Sequence, residues 1–81
     1  FPNNPEILRN LGWAYTVTGN GDKGLFLLRR AMNLSPEDPL IMEDLAVALI
    51  SEGIEMELAE DLLKRAGKEQ RLAELKALMH N

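Results

Sequence analysis

The stretch PEILRNLGWAYTVTGNGDKGLFLLRRAMNLSP, residues 5–36, decides the fold, because its pattern recurs 34 positions later (Pro5 to Pro39). One extra residue in the second turn then moves the offset to 35. This many chemically similar residues at matched positions, with a single inserted residue, are not expected by chance. One structural unit therefore occurs twice. The matched positions are Pro2 and Pro36, Asn4 and Asp38, Pro5 and Pro39, Leu8 and Met42, Leu11 and Leu45, Gly12 and Ala46, Tyr15 and Leu49, Gly19 and Gly53, Gly24 and Ala59, and 27–31 and 62–66.

Each copy starts with a helix signal and then places apolar residues three and four positions apart. Asn4 and Asp38 supply side-chain acceptors for free backbone amides, and the proline that follows each needs no N–H at the first helical position. Gly19 and Gly53 follow the apolar stretches, where a helix end favours left-handed dihedrals. The pattern predicts helices at about 5–18, 22–34, 39–52 and 56–66, and the amphipathic segment 68–79 predicts a fifth.

Gly67 either separates the last two predicted helices or lies inside one helix running from 56 to 79. A glycine in a helix interior costs only about 1 kcal/mol, so the sequence leaves both arrangements open. The apolar face of the last segment consists of Leu72, Leu75, Leu78 and Met79. The core is predicted to consist of Leu8, Leu11, Tyr15, Leu28, Ala31, Met42, Leu45, Leu49, Leu62 and Leu63.

The composition argues against several functions. The chain of 81 residues has a net charge of -4, which is unfavourable for non-specific binding of nucleic acid. It has no cysteine and no apolar run long enough for a membrane span, and its single histidine, His80, is the penultimate residue. We therefore predict no catalytic residue, no metal or cofactor, and neither a nucleic-acid nor a membrane partner. The cytoplasm is the expected compartment.

A G-x-G-x-x-G run at 19–24 matches the fingerprint of dinucleotide-binding loops. That fingerprint indicates dinucleotide binding only when it follows a strand and lies at the start of the helix of a βαβ unit. Here the run joins two predicted helices, so we interpret it as a turn.

The spacing of the first unit resembles the signature of the tetratricopeptide repeat (TPR) family, with Leu8 where Trp is usual and Gly24 where Ala is usual. The second unit matches more loosely and lacks the closing proline. The resemblance covers residues 5–66 and implies an all-α, right-handed superhelix of antiparallel helix-turn-helix repeats. It implies repeat one at about 5–38, repeat two at about 39–67 and a capping helix at about 68–79. The residues that carry it are Leu8, Leu11, Gly12, Tyr15, Gly19, Gly24, Leu28, Ala31 and Pro36, then Met42, Leu45, Ala46, Leu49, Gly53, Ala59, Leu63 and Ala66.

The resemblance also implies that the first helix of each repeat lines a concave groove that binds a peptide or a partner protein. Arg9, Trp13 and Val17 are spaced by four and share one stripe, with Trp13 as the expected anchor. Packing within the array is the alternative for the apolar members of the set. The residues of the predicted groove are Glu6, Arg9, Asn10, Trp13, Val17, Glu43, Asp44, Val47 and Ile50.

A second function class is an architectural or self-assembling segment of a longer repeat protein. Residues 1–4 match residues 35–38, which indicates a repeat before the first one. Ile7, Leu11 and Phe26 would then present apolar surface that the missing helices cover. A homodimer, formed by exchange of the last helix or by contact between such surfaces, is the associated expectation.

Overall fold

The computed structural model describes residues 3–79, which form five α-helices and no strand. Every described helix end lies within one residue of its predicted position. His80 lies outside the described residues, as do Phe1 and Pro2 and the side chain of Met79. The helices are α1 (Pro5–Val17), α2 (Gly21–Leu34), α3 (Pro39–Glu52), α4 (Met56–Arg65) and α5 (Glu69–Met79).

The helix starts and ends follow the local chemistry of the sequence. Asn4 Oδ1 accepts hydrogen bonds from the backbone amides of Glu6 at 2.9 Å and Ile7 at 3.2 Å. Asp38 does the same for α3, accepting from the amide of Leu40 at 2.9 Å. Such caps satisfy amides that have no partner within the helix, which explains why the predicted starts are confirmed.

Gly67 ends α4 and separates it from α5. Its φ of 74° lies in the left-handed region, which an α-helix cannot contain and which glycine adopts without a steric penalty. The alternative of one long helix from 56 to 79 is therefore wrong. Because the chain turns here, α5 folds back and packs on α4.

The helices pack in chain order as antiparallel neighbours, α1 with α2 and α3 with α4, and α2 also packs on α3. In addition α1 contacts α3, so the first helices of the two pairs lie side by side. This is an all-α helical repeat, as the sequence predicts. The right-handed superhelix stays a prediction.

A close approach between α1 and α2 depends on two glycines. A Cβ atom on Gly12 would lie 2.8 Å from Leu28 Cγ and 3.0 Å from the carbonyl oxygen of Gly24. A Cβ atom on Gly24 would lie 2.8 Å from the carbonyl oxygen of Gly12. The absence of a side chain at these two positions thus allows α1 and α2 to approach closely.

Most of the predicted core is buried, but Leu11 is not. Its side chain remains 38% exposed because none of the helices within residues 3–79 covers that side of α1, so placing Leu11 in the core was wrong. Tyr15 is half-buried against a small cluster that includes Leu8. The buried apolar residues are Leu8, Leu25, Leu27, Leu28, Ala31, Ile41, Met42, Leu45, Ala46, Ala48, Leu49, Ala59, Leu62, Leu63 and Leu72.

No helix within residues 3–79 combines the length and the apolar character needed to cross a lipid bilayer.

Candidate binding surface on helices α1 and α3

An ion pair joins the two helices on which the groove was predicted. Arg9 Nη1 of α1 donates to Asp44 Oδ2 of α3 at 3.2 Å, and both side chains are largely buried. This contact brings together Arg9 and Asp44, one predicted groove residue from each helix. We use the name α1–α3 surface for the predicted set of groove residues, namely Glu6, Arg9, Asn10, Trp13, Val17, Glu43, Asp44, Val47 and Ile50.

A second ion pair extends this side of the molecule to α5. Arg71 Nε lies 3.7 Å from Glu43 Oε2, so the neighbouring acids Glu43 and Asp44 point to different arginines. The sequence prediction did not include Arg71. No local signal in the sequence identifies Arg71, because its pairing with Glu43 depends on where α5 lies after the break at Gly67.

The apolar members of the α1–α3 surface differ in how far they take part in the core. Trp13 and Val47 are half-buried and belong to neither of the two core clusters. Val17 is 62% exposed. Ile50 is half-buried and packs against the larger core cluster. Trp13 and Val47 therefore leave part of their apolar surface accessible to solvent, whereas Ile50 mainly packs against the core.

The polar residues at the edge of this surface are accessible. Glu6 and Asn10 are exposed and lie on α1 close to Arg9 in sequence. Their side chains are accessible to a ligand that lies along α1.

The fold shifts the protonation equilibrium of Asp44. Burial raises the pKa of Asp44 above its ordinary value of 3.8, and the neighbouring Glu43 carboxylate acts in the same direction. The hydrogen bond and positive charge of Arg9, together with the charge of Arg71, oppose this shift without cancelling it. Asp44 is thus ion-paired with Arg9, and its burial still disfavours the charged form of the carboxyl group.

Each of the two neighbouring acids lies beside an arginine of this same chain, Asp44 beside Arg9 and Glu43 beside Arg71, so these charges largely offset one another. Within residues 3–79 no group of three or more His, Asp or Glu side chains is arranged to hold a metal ion.

Two clefts lie away from the α1–α3 surface. One, of about 450 Å³, opens between α2 and α4 and has Leu45 and Leu62 among its lining residues. Its two arginines, Arg29 and Arg65, are paired with Glu55 and Asp61. The other, of about 380 Å³, is lined by residues of α1 and α2, namely Tyr15, Asp22, Lys23, Phe26 and Leu27.

The chain is similar in sequence to a known protein, the Protein CTR9 homolog of Arabidopsis thaliana. The two are 34% identical over 74 residues, which is 85% of this chain and 7% of the plant protein. The chain therefore spans only a small part of the relative it matches. No family model and no solved structure matches the chain. The five packed helices are compatible with tetratricopeptide-type repeats.

Proposed function

We propose that this chain is a non-catalytic interaction module that binds a peptide segment of a partner protein across the α1–α3 surface. The observation that supports it best is the environment of Trp13. The indole is half-buried, lies outside both core clusters, and is four residues from Arg9, whose ion pair with Asp44 fixes α1 against α3. Aromatic side chains held in this way are frequent anchors in protein interfaces.

The surface restricts the chemistry of the ligand. An apolar side chain placed between Trp13, Val17 and Val47 would remove all three from water. Because Asp44 and Glu43 are paired within the chain, a ligand gains little from a strong charge of either sign. We therefore expect an apolar anchor flanked by neutral polar residues, bound as an extended or helical segment.

The proposal is tested by selecting binders from a displayed library of random peptides and measuring their affinity for variants of this chain. Trp13→Ala should weaken a selected peptide by about tenfold or more, the loss typical of an interface anchor. The emission of Trp13, the only tryptophan of the chain, should change as the peptide binds.

Leu34→Ala is the matched control, because Leu34 is an exposed apolar residue on α2. Its substitution should leave the affinity unchanged, and circular dichroism should show that both variants remain helical. A library that yields no binder, or binders that lose affinity with Leu34→Ala and keep it with Trp13→Ala, would contradict the proposal.

An architectural segment of a longer repeat protein is the second candidate function. The observation that favours it is an apolar stripe of α1 that lies outside the α1–α3 surface and remains uncovered. The two candidates are compatible in one protein, because they use different sides of α1.

A further inference from the structure

The internal repeat provides a direct comparison between α1 and α3. At the offset of 34, Ile7 corresponds to Ile41 and Leu11 to Leu45. Ile7 is 45% exposed and Ile41 is 0% exposed, while Leu11 is 38% exposed and Leu45 is 3% exposed. The same holds one turn later, where Ala14 is exposed and the corresponding Ala48 is fully buried.

The difference is confined to one stripe. Residues of the neighbouring face are buried in both helices, as shown by Leu8 with Met42 and by Gly12 with Ala46. That face packs against the second helix of its own pair, which each copy contains. Among residues 3–79, no helix packs in this way on the stripe formed by Ile7, Leu11 and Ala14. We call it the α1 stripe.

The structure shows what covers the equivalent stripe of α3. Ile41 shares a core cluster with Leu27 and Ala31 of α2, and Leu45 shares the other with Leu25 and Leu28. The covering element is thus an amphipathic helix that presents leucines and an alanine at helical spacing. Because Ile7, Leu11 and Ala14 match their counterparts in size and apolar character, the α1 stripe suits a helix of the same kind.

The described part of a second copy of this chain offers no uncovered helix of this kind. The apolar side of α2 is occupied by α3. The corresponding side of α4, which contains Leu62 and Leu63, forms one cluster with the buried Leu72 of α5. A head-to-tail dimer would have to detach α5 before α4 could reach the α1 stripe.

We infer that the α1 stripe is the docking site for an amphipathic helix with the apolar pattern of α2, contributed by a repeat that precedes α1 in a longer polypeptide. This inference concerns a different side of α1 from the α1–α3 surface and does not depend on the proposed peptide binding.

The absence of cysteine allows the inference to be tested by thiol labelling. A tandem chain is made in which residues 1–34 are repeated directly before Phe1, so that residues 1–4 take the place that 35–38 occupy between α2 and α3. Leu11→Cys is placed only in the original copy, and its reaction with a thiol reagent is compared in the single and tandem chains. Leu45→Cys in the single chain serves as the reference for a covered stripe.

In the tandem chain Leu11→Cys should react at least about tenfold more slowly than in the single chain, because labelling then requires local opening. Its rate should approach that of Leu45→Cys. Val17→Cys, on the same helix outside the stripe, should react equally fast in both chains. Equal rates for Leu11→Cys in the two chains would overturn the inference, whether the added helices stay unfolded or lie elsewhere. Protection of Leu11→Cys in the single chain as its concentration rises would overturn it too, since a second copy would then be the occupant.

Discussion

Among single residues, Asp44 links the α1–α3 surface to the stability of the fold. Its pKa is raised in the folded state, chiefly by burial, so the folded chain binds a proton at pH values where the unfolded chain has released it. The contribution of Asp44 to stability is therefore fully present below its ordinary pKa of 3.8 and is lost as the pH rises through the folded-state value.

We accordingly expect the free energy of unfolding of the native chain, minus that of Asp44→Asn, to decrease as the pH rises from about 3 to 7. Asparagine preserves the shape and an acceptor for Arg9 but cannot titrate. Urea unfolding of both proteins across this range measures the difference, in which the other carboxylates largely cancel. An increase with pH would show that the ion pair with Arg9 outweighs the burial of Asp44.

The crossing of α1 and α2 provides a second prediction at this scale. Gly24→Ala should lower the stability by about 1–3 kcal/mol, because its Cβ atom would press on the carbonyl oxygen of Gly12. Gly21→Ala in the same helix is the control. There the three atoms nearest to the added methyl group all belong to the flexible, exposed side chain of Glu52, which is able to move away. Urea unfolding should show a loss for Gly24→Ala alone, and equal effects of the two changes would contradict the close approach.

Among the helices, α5 is held to the rest of the chain mainly through its first half. Leu72 is buried, Leu75 is half-buried against the core, and Leu78 is 70% exposed. Leu72→Ala should cost about 2–5 kcal/mol if α5 unfolds together with the core. Leu78→Ala should change the stability by less than about 0.5 kcal/mol. Thermal unfolding followed by circular dichroism tests both, and a similar cost for the two would show that α5 lies differently.

The sequence predicts the five helices well because their ends are determined locally. The side chains of Asn4 and Asp38 cap their helices by accepting hydrogen bonds from backbone amides two or three residues further on. Gly67 ends α4 because glycine readily adopts the left-handed φ found there. Leu11 shows where this reasoning fails. Periodicity identifies the side of α1 on which Leu11 lies, but its burial requires a further helix that local sequence does not contain.

The candidate surface was predictable in part for the same reason. Helical spacing brings Arg9, Trp13 and Val17 to one side, and the pairing of Arg9 with Asp44 agrees with that placement. The pair of Glu43 with Arg71 could not be predicted, because it depends on where α5 lies after the break at Gly67. Whether this surface binds a peptide stays a prediction.

For the whole molecule, the question is whether the chain associates with itself. A homodimer by exchange of α5 would re-form between two chains the contacts that the monomer already makes, namely the burial of Leu72 and the ion pair of Lys76 with Glu60 at 3.2 Å. Such an exchange adds no contact that offsets the entropy lost on association. We therefore expect sedimentation equilibrium to give the monomer mass throughout the micromolar range. A dimer that persists in Leu78→Ser and is lost in Leu11→Gln would instead place the contact at the α1 stripe.

Protein NMR spectroscopy tests the proposed binding of a peptide at the α1–α3 surface most directly. A peptide selected for binding is titrated into isotopically labelled chain, and changes in the backbone amide signals are mapped onto the helices. We expect the largest changes at residues 9–17 of α1 and 43–50 of α3, with the indole N–H of Trp13 among them. Changes centred on Arg29, Asn33 and Arg65, with α1 and α3 unaffected, would place the ligand in the cleft between α2 and α4 and contradict binding at the α1–α3 surface.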